Sequence, residues 1–181
     1  MGAANGFKQA ASAMTPNEKM QFVINLAKEA MEGGELPIAA AIYHGNELIS
    51  SAYTSERADG RWLVHAEQKA LMDADAKKLS LEIRSKLELY TNLEPCLMCL
   101  GMAMSSFIGK IYYALEAPED GAIELVRAEL EKRKVSGLSA YSFPKITKGL
   151  LRNQSIQLFR EFAEQNKGKP GTNFALSLAT L

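Results

Sequence analysis

Apolar residues first settle into a regular pattern at Phe22, Val23, Leu26, Ala27, Ala30 and Met31. That spacing is the stripe of an amphipathic helix. Thr15-Pro16-Asn17-Glu18 stands just before it. Thr15 can cap, Pro16 suits the first helical position, and Glu18 completes a capping box. Gly33-Gly34 ends the helix. The pattern then changes to strand-like runs at Ile38–Tyr43 and Glu47–Tyr53, joined by His44-Gly45-Asn46. The Gly-Asn pair marks a hairpin turn. A loop is expected from Thr54 to about Arg61. Beyond it, helical runs at His65–Ala76, Cys96–Ser105 and Ile123–Lys134 alternate with strand-like runs at Leu87–Thr91 and Lys110–Leu115. Ser136–Lys148 reads as irregular or as holding a short strand. Gln154–Gln165 reads as a last helix, with Ile156, Leu158, Phe159 and Phe162 on its apolar side.

A helix, a hairpin and then alternating helices and strands predict an α/β protein. The expected architecture is a three-layer α/β/α sandwich with a mixed sheet. One domain over residues 15–165 fits a chain of 181 residues. Residues 1–14 read as a flexible N-terminal segment and 166–181 as a loose C-terminal tail. Within that tail, Phe174–Leu181 is apolar enough to dock on the body or on another chain. The longest apolar stretch, Leu97–Met104, is too short to cross a bilayer. The first residues lack the charged start and apolar run of an export leader. A cytoplasmic protein is expected.

Charge narrows the choice of partner. The 21 basic and 21 acidic side chains balance to zero. This disfavours a protein whose affinity comes from neutralising many phosphates.

The candidate chemistry sits in two short motifs, His65-Ala66-Glu67 and Pro95-Cys96-Leu97-Met98-Cys99. The chain has only two cysteines and two histidines, and these motifs hold both cysteines and one histidine. His65, Cys96 and Cys99 form a donor set suited to zinc with an open fourth position. Cys96 and Cys99 are three apart, so at a helix start their sulfurs face one side. The positive end of that helix favours both thiolates. His65 and Glu67 are two apart, about 200° around a regular helix. Both reach one centre only if His65 lies in the first turn or just before it. Glu67 would then be the proton carrier beside the metal. Each part has a plain alternative: a redox Cys-x-x-Cys, a core histidine, a solvated glutamate. A structural zinc site would need a fourth protein ligand, such as His44 or a carboxylate. Met98, Met102 and Met104 read as core filling. Lys132-Arg133-Lys134 reads as a solvated helix end.

The two motifs match the H-x-E and P-C-x-x-C signature of zinc-dependent nucleobase deaminases. Around them, Glu35-Leu36-Pro37-Ile38-Ala39-Ala40-Ala41 resembles the early strand entry of cytidine deaminase-like enzymes. Asn92 to Met104 is most similar to bacterial tRNA adenosine deaminases and guanine deaminases. Ile108–Tyr113 and Ile146–Leu151 extend the likeness, which covers residues 16–165 in outline. The resemblance implies a five-stranded α/β/α fold, catalytic zinc and a homodimer. It also implies roles for the backbone amides of Ala66 and Cys96 beside the reacting oxygen.

The sequence departs from those relatives where substrate is chosen. Thr54 stands eleven residues before His65, where an Asn often contacts the base. Arg61-Trp62-Leu63-Val64 replaces an Asp-Pro-Thr-like stretch, and Trp62 could stack on a flat ring. Glu116-Ala117-Pro118-Glu119-Asp120-Gly121 makes an acidic loop, unfavourable beside a phosphate backbone. Phe107 stands where the editing enzymes tend to have Arg. The expected activity is hydrolytic deamination of a free nucleobase, nucleoside or related amino-heterocycle. Thr54, Ile38, Trp62 and Ala66 are the expected substrate contacts. A tRNA adenosine deaminase is the enzymatic alternative, with tRNA disfavoured by charge. A non-catalytic zinc scaffold is the alternative of another class.

Overall fold

The computed structural model describes residues 12–133 and 142–181. The expectations for most of the N-terminal segment, for Lys134 and for the start of Ser136–Lys148 lie outside these residues.

The first helix, α1 (Pro16–Glu32), begins where its sequence dictates. Thr15 accepts from the Glu18 amide, and the Glu18 side chain accepts from the Thr15 amide. Its apolar stripe buries Met20, Val23 and Ala27 completely. The hairpin follows as β1 (Ala39–His44) and β2 (Glu47–Tyr53). Gly45 supplies the positive φ, 57°, that its tight turn needs. Next come α3 (Ala66–Ala76), β3 (Glu88–Leu93), α5 (Leu97–Ser105), β4 (Lys110–Leu115), α6 (Ile123–Arg133), β5 (Lys145–Lys148) and α7 (Arg152–Gln165).

The five strands form one mixed sheet in the order β2-β1-β3-β4-β5. β1 runs antiparallel to β2 and β3, while β3, β4 and β5 are mutually parallel neighbours. Side-chain alternation sends Ala39, Ala41 and Tyr43 to one core and Ala40 and Ile42 to the other. Helices α1 and α7 cover the first core, and α3, α5 and α6 the second. A central strand buried on both faces needs a continuous apolar run, and Ala39–Tyr43 supplies it. The α/β/α expectation is met. No helix among the described residues is long and apolar enough to cross a membrane.

Three short elements were not foreseen. Within the expected loop at 54–61 lies α2 (Glu56–Asp59), and α4 (Leu81–Arg84) precedes β3. The Glu35 carboxylate caps α2 from outside, accepting from the Arg57 amide at 3.1 Å and the Ala58 amide at 2.7 Å. Its cap is therefore 22 residues away along the chain, beyond any local reading. The third element corrects the loose-tail expectation. Residues Thr172–Ala179 form α8, which packs on α7. Ala175 and Leu178 join the α1/α7 core, and the Phe174 ring meets Phe159 edge-on at 6.5 Å. Docking of the apolar end on the body is the outcome, and the partner-chain option is not needed to bury it.

Candidate functional site

Two helices begin side by side in front of the sheet. His65 is the N-cap of α3 and Cys96 the N-cap of α5. Both have extended backbones, with φ and ψ of −66° and 153° for His65 and −67° and 171° for Cys96. Neither side chain turns back to cap its own helix. A Ser or Asp at these positions would do so. The imidazole and thiol are instead free to face each other. His65 therefore lies just before the first turn, as reaching a shared centre with Glu67 requires.

His65 Nδ1 lies 3.7 Å from Cys96 Sγ and 3.6 Å from Cys99 Sγ. All three donor atoms lie within 4.8 Å of one another. A tetrahedral zinc with nitrogen at about 2.0 Å and sulfur at about 2.3 Å holds such donors about 3.5 Å apart. The observed separations fit that ion. Among the described residues no fourth His, Cys, Asp or Glu joins this group, and neither His44 nor a carboxylate completes a structural site.

The electrostatics suit an ion held by charged ligands. Hydrogen bonding from Cys99 and from His65 lowers the Cys96 thiol to about 4, against the effect of burial. Hydrogen bonding to Cys96 raises His65 to about 9, again against burial. Cys99 is pushed up by its bond to Cys96 and by burial. The trio thus shares protons around a negative centre, and a cation would displace them. The helix starts of α3 and α5 add their positive ends.

Glu67, on the first turn of α3, is only 4% exposed. Burial raises its pKa, opposed by its backbone and by Thr91. The Thr91 hydroxyl donates to its Oε1 at 3.0 Å. Thr91 comes from β3, so the central strand aims the carboxylate. On its other side the His65 ring is held by Glu56, whose Oε1 lies 3.2 Å from Nε2. A carboxylate behind a metal-binding histidine fixes the ring and its tautomer.

A cavity of about 210 Å³ opens beside the cluster. Leu36, Ile38, Leu93 and Phe174 give it apolar walls. Glu56, Glu67, Glu94 and Asp120 add carboxylates. Glu94 is held inward, accepting from the Ala117 amide at 3.2 Å and the Ile123 amide at 3.1 Å. Gly121 makes room for it, since a Cβ there would stand 2.6 Å from the Glu94 carboxyl carbon. The acidic loop thus folds against the cysteine helix through Glu94.

The structure separates the expected site residues. His65, Glu67, Cys96 and Cys99 converge. Ile38 lines the cavity. Trp62 is 81% exposed and lines a neighbouring cavity. Thr54 is buried, is not among the residues lining either cavity, and donates its hydroxyl to the Val64 carbonyl at 3.3 Å. The Ala66 side chain is fully buried in the α3 core, leaving only its backbone near the site. Sequence reasoning missed Glu56, Thr91, Glu94, Asp120 and Phe174. Phe174 left a signal in the apolar end of the chain, and Asp120 in the acidic loop of residues 116–121.

Comparison with known proteins points the same way. Residues 14–115 match the family model described as the cytidine and deoxycytidylate deaminase zinc-binding region. The tRNA-specific adenosine deaminase of Bacillus subtilis is 34% identical over 109 residues, covering 60% of this chain and 67% of that protein. A tRNA(Ile)-lysidine synthase of Deinococcus radiodurans is 37% identical over 99 residues, 54% of this chain but only 17% of that longer protein. Among solved structures, a mutant of NE0047 in complex with 8-azaguanine has a TM-score of 0.70 at 26% identity, covering 86% of this chain and 88% of that one. A structure from a study of tRNA:A34 deaminases acting at the wobble position has a TM-score of 0.63 at 27% identity, covering 77% and 97%. The chain belongs to the family of deaminases that share the cytidine and deoxycytidylate deaminase zinc-binding region.

Proposed function

We propose that the protein is a hydrolytic deaminase removing the exocyclic amine of a small amino-heterocycle, a nucleobase or its nucleoside or nucleotide. One observation carries the reading: His65 and Cys96 of the donor trio and the buried Glu67 border the same cavity, with Cys99 buried just behind them. His65, Cys96 and Cys99 would hold zinc. Zinc held there would supply Lewis-acid activation of water near neutral pH. Glu67 would take one proton from the attacking water and pass it to a ring nitrogen, then take the second proton from the hydroxyl added to the ring carbon and deliver it to the amine, which leaves as ammonia as the carbonyl forms. Burial, which raises its pKa, suits a group that must hold a proton part of the time. Ile38 and the facing apolar side chains sandwich the ring. The Ala66 and Cys96 amides, free at helix starts, are offered to polar atoms of the reacting group.

A tRNA adenosine deaminase is the second reading, favoured by the relatives named for that activity. The carboxylates around the cavity and the zero net charge weigh against a long phosphate backbone. A second copy of the chain is the proposed partner, since Met72, Leu97 and Leu125 expose apolar side chains on the α3/α5/α6 layer. A monomer in sedimentation would reject it. The proposed location is the cytoplasm.

Ammonia release from the zinc-loaded protein tests the activity. Adenine, guanine, cytosine, their nucleosides and nucleotides, triazines, pterins and tRNA form the panel. Release from at least one, lost in Glu67→Gln, is expected. Silence across the panel would favour a scaffold.

A further inference from the structure

The cavity beside the metal donors does not end at their rim. A second cavity, of about 330 Å³, shares Leu36 and Glu56 as walls with the first. The inner space alone is smaller than the roughly 300–1,000 Å³ of ordinary small-molecule sites. It has room for a ring system and little more. The shared walls make the outer space the adjacent volume for whatever is attached to that ring.

The outer wall has a distinct chemistry. Its carboxylates are already engaged, Glu35 by the α2 amides and Glu56 by His65. Arg57 is engaged too, donating to the Gly34 carbonyl at 2.6 Å and the Pro170 carbonyl at 2.7 Å. Arg61 is the exception. Its guanidinium has no hydrogen-bond or ion-pair partner among the described residues. Beside it Trp62 is 81% exposed, a large apolar face left in water. The acidic Asp120 lines the inner cavity and not the outer one. An anion on the substrate is repelled there and attracted at Arg61.

We propose that the outer cavity is a second subsite, taking the sugar phosphate of a nucleotide whose base reacts in the inner cavity. Arg61 pairs with the phosphate and Trp62 covers the sugar or a neighbouring ring. A guanidinium presents a planar pair of donors that matches phosphate oxygens. The proposal rests on the deaminase reading, and it names nucleotides rather than free bases as the preferred class. Two sources share this chemistry, a free mononucleotide and a nucleotide within a single strand.

Trp62 is the only tryptophan of the chain and so reports directly on the subsite. The test uses the full-length zinc-loaded Glu67→Gln protein, which should bind without turnover. Tryptophan emission is followed while adding adenine, adenosine, AMP and a short single-stranded RNA, then the cytosine and guanine series. Calorimetry gives each affinity independently. The expected result is that AMP, or its counterpart in another series, changes the emission and binds about tenfold or more tighter than its nucleoside. Arg61→Gln should erase that advantage and leave free-base binding unchanged. Arg61 is exposed, so this variant is not expected to disturb folding. An affinity gain for the strand beyond the mononucleotide would assign the subsite to a polynucleotide; equal affinities would assign it to the free nucleotide. Equal binding of base, nucleoside and nucleotide, or a phosphate advantage that survives Arg61→Gln, overturns the proposal. Ammonia release by the native protein on the same panel judges the deaminase reading separately. Arg61-dependent binding without release would reject that reading and keep the subsite.

Discussion

The donor cluster and the rim of its cavity are built in opposite ways. The cluster sits on long elements rooted in the sheet. His65 and Cys96 open α3 and α5, whose bodies are buried in one core, and Thr91 reaches Glu67 from the central strand. The rim is made of α2, the 60–64 stretch and α8. It hangs on side-chain clasps: Glu35 on the α2 amides, and Arg57 on Gly34 and Pro170 with its guanidinium 5.7 Å from the Phe162 ring. Positions fixed by buried elements suit chemistry that tolerates little displacement. Surface segments held by a few polar contacts can change without unfolding the core, and they are where binding preferences reside. The comparison teaches that, on the proposed function, reaction and substrate preference would be carried by separable parts.

Breaking the cluster should have the largest effect. Cys99→Ala removes a donor 3.6 Å from His65 Nδ1 and should abolish both zinc content and ammonia release. Metal analysis alongside the assay checks it, and full activity without zinc would refute the site. Glu67→Gln is the next largest. It should lower the rate by about 10²–10⁴-fold while zinc and melting temperature are kept.

Glu56 tests the seam between the two regions, since it belongs to the rim but holds His65. Glu56→Gln should weaken zinc affinity by about 10–100-fold, read by competition with a chelator. An unchanged affinity would place Glu56 with the rim alone. The smallest effects should come from the rim itself. Arg57→Ala frees two carbonyls near solvent and should cost about 1 kcal/mol in thermal unfolding. Phe174→Ala opens one cavity wall. Both variants should raise KM and leave kcat and zinc content close to native. A loss of kcat as large as that of Glu67→Gln would show that the two regions are not separable.

How much could be read from the chain follows the same division. The capping box at Thr15, the period of α1, the Gly45 turn and the apolar run of β1 are local patterns, and each element formed where its pattern lay. The donors were legible because zinc accepts few residue types and their spacing fits helix starts. Sheet order was harder. The β1/β3 pairing joins Ala40 to Thr91 across half a hundred residues, and its antiparallel sense leaves no local mark. The rim was almost silent. Thr54 looked like a base contact by position, yet the turn of the chain buries it against Val64. Glu35 looked like part of a strand entry, yet it caps a helix. The tail looked loose because its polar Asn-Lys-Gly-Lys-Pro-Gly opening hid the helix beyond it. There Thr172 is anchored to the Asn166 carbonyl and Asn166 to that of Phe162.

The sequence by itself determined the His and Cys donors, the placing of Glu67 two residues after His65, and the helices and strands that bear them, because ligand chemistry and backbone periodicity act over a few residues. Tertiary structure decided what surrounds them. Glu56 behind the histidine, Thr91 behind Glu67, Glu94 folded over Gly121 and Phe174 closing the cavity all depend on contacts between distant segments, which exist only once the sheet has brought those segments together.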